Sequence, residues 1–164
     1  MEELYRQYVQ IVYRFLMSAC RDSRLAEDLT QETFLRAWES LERFDHSCRI
    51  STWLCQIAKH TLYQHWEKYG REHPAEPDPQ PTQAGEPAGG DTETQALHRI
   101  ELAEVLEAFQ SLGPDMRQVV SLRAMDGLPY KEIGEIMGKS ENWARVTYFR
   151  AKEILAREAH HEDF

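Results

Sequence analysis

The chain has 164 residues, a net charge of −9 and three cysteines, which suits one medium domain or two small ones without a disulfide framework. No apolar run has the length of a membrane span and no charged-then-apolar leader opens the chain, so we expect a cytoplasmic protein with reduced thiols and no direct membrane insertion. No carboxylate pair, nucleophile–base set or phosphate-binding loop stands out, which argues against an enzyme and predicts no cofactor.

The acidic residues concentrate in the middle of the chain and at its end. Residues 1–73 carry 10 Lys/Arg and 11 Asp/Glu, whereas residues 74–108 carry 1 and 8. Residues 109–157 carry 8 Lys/Arg and 6 Asp/Glu, and residues 158–164 add three acidic groups. Within residues 139–157 there are five bases and two acids, which predicts one basic helix. We expect weak binding to free DNA, because phosphate neutralisation supplies most sequence-independent affinity.

Apolar residues recur at helical spacing and strand patterns are nearly absent, which predicts an all-α fold. Two small helical domains are expected, joined by a flexible linker. Residues 1–70 contain three apolar stripes, and the second of them runs from Leu25 to Leu41. Ser51 or Thr52 is expected to cap the third helix at its N-terminus.

The linker is predicted at residues 71–93, which hold five of the seven prolines and several glycines and acidic groups. The second domain follows at residues 94–158, with four predicted helices, and residues 159–164 form an acidic tail. Pro114 suits a helix start, where its missing N–H costs nothing.

A helix-turn-helix is predicted near the end of the second domain, where Gly138 separates a short apolar-faced helix from a longer basic one capped by Ser140. Arg145 suits guanine and Asn142 suits adenine in a major groove, while Trp143 stacks on DNA or anchors the helix. An ordinary helical hairpin with a solvated basic face is the alternative. The candidate DNA-binding residues here are Lys139, Ser140, Glu141, Asn142, Trp143, Arg145, Val146 and Arg150.

The second predicted helix carries an ordered outer face. Its members recur at intervals of three and four residues, with Phe34 and Trp38 beside an outward Leu35. Aromatic side chains bordered by polar groups are typical of a protein interface, and a plain solvated face is the alternative. The candidate interface residues are Asp28, Gln31, Glu32, Phe34, Leu35 and Arg36.

Together these segments resemble regions 2 and 4 of the extracytoplasmic-function (ECF) sigma factors, which direct bacterial RNA polymerase to promoters. The matching motifs are Asp28-x-x-Gln31-Glu32-x-Phe34, Phe44-Asp45, Ser51-Thr52-Trp53-Leu54, Ile57-Ala58, Gly127-Leu128-Pro129-Tyr130-Lys131-Glu132-Ile133, Ser140-Glu141 and Arg150-Ala151-Lys152. The resemblance implies that domain 1–70 binds core RNA polymerase, through the β′ clamp and β subunits, and the −10 element. It implies that domain 94–158 binds the −35 element.

For the −10 element, the resemblance points to the loop after the second helix and to the third helix, which in this family hold an unstacked base. The candidate residues are Asp45, His46, Ser47, Arg49, Lys59, His60, Tyr63 and Gln64. The family also implies promoter opening and an anti-sigma factor that covers both domains and is often membrane-anchored.

Two site hypotheses and two other functions remain beside this interpretation. Cys48, Cys55, His60 and His65 lack the close ligand pairs of a zinc site, so no metal is predicted. A Cys48–Cys55 redox switch is the alternative use, with Arg49 lowering the pKa of the Cys48 thiol. One alternative function is a helix-turn-helix regulator that binds duplex DNA without polymerase, which would give no role to the outer face of the second helix. The other is a helical adaptor that binds only proteins, which would give no role to the basic last helix.

Overall fold

The computed structural model describes residues 2–70, 104 and 106–160, and every regular element within these ranges is helical. The N-terminal unit contains α1 (Glu2–Cys20), α2 (Ser23–Ser40), a 3₁₀ turn (Leu41–Arg43) and α3 (Ile50–Tyr69). The C-terminal unit contains α4 (106–111), α5 (Pro114–Val120), a π-helical turn (Ser121–Met125), α6 (Tyr130–Met137) and α7 (Glu141–His160). The all-α fold is confirmed; the predicted linker at 71–93 and residues 161–164 of the tail lie outside the described residues. None of the described helices has the length and apolarity of a membrane span.

Local signals place several helix ends. Asp22 caps α2, since its Oδ1 accepts hydrogen bonds from the backbone N–H groups of Arg24 and Leu25 at 3.1 and 3.3 Å. The predicted cap of α3 by Ser51 or Thr52 is wrong, because the helix begins at Ile50 and has Arg49 as its N-cap without a side-chain bond. Thr52 is fully buried. Because the Thr52 side chain is buried in the packing between the helices, Thr52 lies within the helix and does not cap its N-terminus.

The N-terminal unit packs three helices around one apolar centre. Phe15 and Leu16 from α1, Leu29 from α2, and Leu54 and Leu62 from α3 are almost completely buried. The second apolar stripe was predicted to continue to Leu41, but α2 ends at Ser40 and the chain continues as a 3₁₀ turn. Leu41 is therefore 41% exposed on the outside of the unit.

The helix-turn-helix has the predicted turn. Gly138 adopts a left-handed conformation with φ of 67°, and the Ser140 Oγ accepts a hydrogen bond from the Trp143 backbone N–H at 3.0 Å. Ala144 of α7 is fully buried at the crossing with α6. Gly134 of α6 faces the turn so closely that a Cβ there would lie 2.8 Å from the carbonyl oxygens of Lys139 and Ser140.

The two units also pack against each other, which the sequence did not predict. Helix α6 lies on α3, while α5 and the π-helical turn lie on α1. One apolar cluster is shared across the contact, with Phe15 and Leu54 from the N-terminal unit and Val119, Leu122 and Ile133 from the C-terminal unit. We call this contact the inter-unit interface.

Candidate functional site

The outer face of α2 presents apolar side chains within a polar border. Leu35 is 66% exposed and Trp38 is 60% exposed, and the exposed Leu41 extends this apolar strip beyond the end of the helix. Asp28, Gln31 and Glu32 are exposed beside it. The strip is an accessible surface for another protein, and Leu41 is a member that the sequence analysis placed on the buried side.

Phe34 lies beneath this face instead of on it. Its side chain is only 6% exposed, and its ring packs edge-on against Tyr5 of α1 with a centroid distance of 4.9 Å. The aromatic ring that helical spacing places beside Leu35 is thus part of the packing between α1 and α2. Phe34 fixes the position of the α2 face from inside and is covered in this structure.

A chain of hydrogen bonds connects α2 to α3. The Arg36 guanidinium donates to Glu32 at 2.7 Å and to the Gln64 side-chain carbonyl at 2.6 Å. The Gln64 amide nitrogen lies 3.0 Å from Nε2 of His60. Residues predicted for the protein interface and for DNA therefore share one network, and an open cavity of about 520 Å³ lined by Arg36, Trp53 and His60 adjoins it.

The loop before α3 is held by an Asx turn and by stacked rings. Asp45 accepts a hydrogen bond from the Ser47 backbone N–H at 3.0 Å, and the hydrogen bonds from Ser47 lower the pKa of the Asp45 carboxyl. The Phe44 ring contacts His46 at 4.6 Å and Trp53 at 4.8 Å between centroids. Trp53 is half-buried against the core, so it anchors the loop. His46, which has a left-handed backbone with φ of 60°, is exposed, as are Asp45 and Ser47.

The remaining −10 candidates divide into an accessible and a contacted group. His60, Tyr63 and Gln64 are exposed along α3. Arg49 forms an ion pair with Glu132 of α6 at 3.4 Å. The Lys59 ammonium is half-buried 4.0 Å from the Met137 sulfur, and this burial lowers the pKa of Lys59.

The basic helix α7 exposes most of the predicted −35 residues. Its exposed candidates and those of the preceding turn are Lys139, Ser140, Glu141, Asn142, Arg145, Val146 and Arg150. Arg145 pairs with Glu141 at 3.5 Å, and its guanidinium lies 5.3 Å from the centre of the Tyr130 ring. Both contacts orient the Arg145 side chain at the surface.

Two aromatic residues on α7 differ from one another in position. Trp143 is half-buried and packs against the apolar core, which favours the anchoring interpretation over stacking on DNA. Phe149, which the sequence analysis missed, is 52% exposed one turn beyond Arg145 and Val146. Its spacing of four and three residues from those candidates was the available signal.

The three cysteines are free thiols in the described part of the chain. Cys20 and Cys55 are buried, and burial raises the pKa of the Cys20 thiol to about 11. The predicted lowering of the Cys48 pKa is wrong, because burial and the nearby carboxylates of Glu135 and Glu132 raise it. Arg49 pairs with Glu132 and so does not leave a net positive charge beside the thiol. Among the described residues, no group of three His, Cys, Asp or Glu side chains is placed to hold a metal.

Comparisons with known proteins match both halves of the chain. The model of Sigma-70 region 2 matches residues 4–72, and that of Sigma-70, region 4 matches residues 102–155. "ECF RNA polymerase sigma factor SigM" of Bacillus subtilis (strain 168) is 36% identical over 155 residues, covering 94% of this chain and 91% of the relative. "RNA polymerase sigma factor CarQ" of Myxococcus xanthus is 32% identical over 161 residues, covering 94% and 86%.

The fold has a solved counterpart. The sigma factor RpoE in its complex with the anti-sigma factor NepR from Bartonella quintana superposes with a TM-score of 0.72 and 21% sequence identity. The superposition covers 98% of this chain and 97% of that chain. This likeness extends over both units and concerns the fold.

Proposed function

Since this chain belongs to the family of ECF RNA polymerase sigma factors, which are transcription initiation factors and not enzymes, we propose how its surfaces divide the work of initiation. Helix α2 holds core RNA polymerase, the loop Phe44–Arg49 and α3 hold the −10 element, and α7 recognises the −35 element. The observation that carries this proposal is the exposed apolar strip of α2 within its border of Asp28, Gln31 and Glu32.

The α2 face suits the polymerase because it offers both area and specificity. Leu35 and Trp38 provide exposed apolar surface that a partner would remove from water, at about 25 cal/mol for each Å² buried. Gln31 and Glu32 supply polar groups for the rim of the contact. Phe34 contributes by supporting the helix from below, and the clamp of the β′ subunit is the partner that the family pattern implies.

The −10 surface needs side chains that hold a base outside the duplex. His46, His60 and Tyr63 offer exposed rings for stacking. Arg49 and Lys59 offer charge for the backbone, and Asp45 and Ser47 form the turn that orders the loop. The cavity beside His60 provides space at this edge of α3.

The −35 surface is the exposed face of α7. Asn142 and Arg145 lie in its first turns, where a recognition helix contacts base edges, and Arg150 lies later, where phosphates are reached. Val146 and Phe149 add an apolar patch that suits the methyl groups of thymine. Trp143 holds α7 on its own unit.

We place this activity in the cytoplasm, where RNA polymerase works. An anti-sigma factor is proposed as the regulator, since the solved counterpart was crystallised with one.

The decisive experiment is co-purification with bacterial core RNA polymerase, followed by run-off transcription on genomic fragments. A Gln31→Ala/Glu32→Ala/Leu35→Ala variant is expected to lose polymerase binding and the promoter-specific transcripts that the wild type produces. A Gln110→Ala/Glu107→Ala/Leu106→Ala variant removes the same three side-chain types from exposed positions on α4 and serves as the matched control. Equal binding by the α2 variant and the wild type would refute the assignment of the α2 face.

A further inference from the structure

The ring of Tyr130 lies where three elements of the C-terminal unit meet. Tyr130 is the first residue of α6, and its side chain is half-buried against the apolar core. The Arg123 guanidinium, from the π-helical turn, lies 4.3 Å from the centre of this ring, and the Arg145 guanidinium, from α7, lies 5.3 Å from it. Both distances are within the range of about 6 Å in which the face of an aromatic ring attracts a cation. One ring therefore contacts two arginines from two different elements.

The position of the Tyr130 ring is fixed by its neighbours. Arg123 donates a hydrogen bond from Nη1 to the backbone carbonyl of Leu128 at 3.0 Å, which ties the π-helical turn to the segment before α6. The Tyr148 ring of α7 lies 6.0 Å from the Tyr130 ring between centroids, at an interplanar angle of 52°. Leu128 is part of the apolar core and Tyr148 packs against it, so the ring gives Arg145 a support that is anchored in the core.

The two neighbours of Arg145 hold its side chain in different ways. Glu141, one turn earlier in α7, pairs with Arg145 at 3.5 Å, and a carboxylate occupies N–H donors of the guanidinium that it contacts. The side chains of this pair are 46% and 54% exposed, and ion pairs at such positions are weak. The Tyr130 ring attracts the positive charge through its face and occupies no donor. Tyr130 can therefore stay in contact while the N–H groups of Arg145 bind a base.

An arginine that recognises a base benefits from a fixed orientation. A long, exposed side chain loses rotamer freedom when it binds, and this loss opposes binding. Guanine presents N7 and O6 in the major groove, and a bidentate contact with both atoms constrains the plane of the guanidinium. Arg145 lies early in α7, where a recognition helix contacts base edges. A ring that restrains Arg145 before the DNA arrives lowers the cost of this contact.

We propose that Tyr130 is a positioning residue for the −35 element, whose ring face holds the Arg145 guanidinium ready for a guanine. The proposal rests on the function assigned to α7 above. Tyr130 acts through Arg145 and needs no contact of its own with DNA, while Arg123 supports the same ring from the π-helical turn. A ring that only filled space in the core would serve stability instead, and its loss would weaken recognition of every base pair alike.

The test is a double-mutant cycle on promoter recognition by the holoenzyme. The full chain and its variants are assembled with core RNA polymerase and titrated by anisotropy with a fluorescein-labelled duplex of a promoter mapped by run-off transcription. Further duplexes replace each G·C pair of the −35 element in turn by A·T. The ratio of the two dissociation constants is the discrimination at that pair. Arg145→Ala identifies the guanine that Arg145 contacts, as the pair at which discrimination is lost.

Tyr130→Leu is expected to reduce the discrimination at this pair about two- to fivefold, the range given by a cation–π contact at an exposed site, and to leave the other pairs unchanged. In an Arg145→Ala background it is expected to have no further effect at this pair. Tyr130→Phe keeps the ring face and should retain the wild-type discrimination. Tyr69→Leu is the matched control, because Lys68 lies at the same 5.3 Å from the Tyr69 ring, and it should not change discrimination in the −35 element.

An NMR measurement on the free chain tests the contact itself. The ring current of Tyr130 is expected to shift the side-chain proton signals of Arg145 upfield in the wild type and in Tyr130→Phe, but not in Tyr130→Leu. Thermal melts followed by circular dichroism confirm that the variants are folded. This measurement depends on neither DNA nor polymerase, so it separates the contact from its effect on recognition.

Four results would overturn the proposal. They are the absence of any pair that responds to Arg145→Ala, full discrimination by Tyr130→Leu at the Arg145 pair, an equal loss at all pairs, and a Tyr130→Phe protein that loses as much as Tyr130→Leu. The last result would mean that the hydroxyl, and not the ring face, matters. Failure of the sigma assignment is recognised separately, as a wild-type chain that neither assembles with core polymerase nor gives promoter-specific transcripts.

Discussion

Gly134 is the position where a single methyl group tests the geometry of the helix-turn-helix. It lies inside α6, where glycine is otherwise a poor choice, and alanine would improve intrinsic helix propensity by about 1 kcal/mol. A Cβ at this position, however, would lie 2.8 Å from two backbone oxygens and 2.9 Å from the Ser140 carbonyl carbon. Backbone atoms cannot rotate away as a flexible side chain does.

The expected cost of Gly134→Ala follows from these distances. Reaching an ordinary contact of 3.4 Å requires the turn to move by about 0.6 Å. Overpacking of this kind costs about 1–3 kcal/mol, from which the propensity gain of about 1 kcal/mol is subtracted. We therefore expect a net loss of about 0–2 kcal/mol in unfolding free energy. Because α7 begins just after this turn, we expect the binding free energy for a −35 duplex to weaken by more than the unfolding free energy does.

Urea denaturation and anisotropy with a duplex carrying the −35 element measure the two effects. Gly113→Ala is the matched control, since a Cβ at Gly113 meets nothing within 4 Å and its backbone suits alanine. Gly113→Ala is expected to change neither the unfolding free energy nor the affinity for the duplex by much. A Gly134→Ala protein that is more stable than the wild type and binds the duplex normally would refute the close approach of α6 to the turn.

Three further predictions concern other parts of the molecule. Phe149→Ala is expected to weaken binding to a −35 duplex about fivefold, because about 1 kcal/mol of apolar contact with the DNA is lost. The melting temperature of the protein should not change, since the ring is exposed. An equal loss of affinity for all DNA sequences would contradict a role of Phe149 in recognising the −35 element. Leu54→Ala is expected to lower the unfolding free energy by about 2–5 kcal/mol in urea denaturation, because the Leu54 side chain is completely buried. A smaller loss would mean that neighbouring side chains move into the cavity that the substitution leaves. Burial raises the pKa of Asp126 above its ordinary 3.8, with Arg14 on α1 lowering it only in part and the buried Cys55 of α3 nearby. Since folding then takes up a proton at Asp126, the contribution of this group to the unfolding free energy should be largest below pH 3.8 and should decline as the pH rises through the raised pKa of the folded form. Urea denaturation of the wild type and of Asp126→Asn over this pH range measures the difference, and parallel pH profiles of the two proteins would contradict the prediction.

The features that the sequence predicted well depend on local chemistry. The turn at Gly138, the cap at Ser140 and the helix start at Pro114 are properties of a few neighbouring residues, and the structure confirms each of them. The exposed Gln31 and Arg145 likewise followed from helical spacing.

The features that the sequence missed depend on contacts between distant residues. Helical spacing placed Phe34 beside the exposed Leu35, but the packing of α1 against α2 covers its ring with Tyr5. Thr52 was a plausible cap until burial within the N-terminal unit is considered. The apolar face of the short helix before Gly138 was correctly predicted, and the buried Ile133 lies on it, yet periodicity shows only that a face is apolar, and not which helix will cover it.

The shared core has a consequence for how the chain can be recombined. Val119, Leu122 and Ile133 belong to one buried apolar cluster with Phe15 and Leu54, so the two halves of the chain are packed against each other. A chimaera that takes its helix-turn-helix from a relative, with the aim of redirecting promoter choice, would import foreign side chains at this junction. Such a chimaera would then change both the choice of promoter and the packing between the two units, unless the junction residues are transplanted together with the helix-turn-helix.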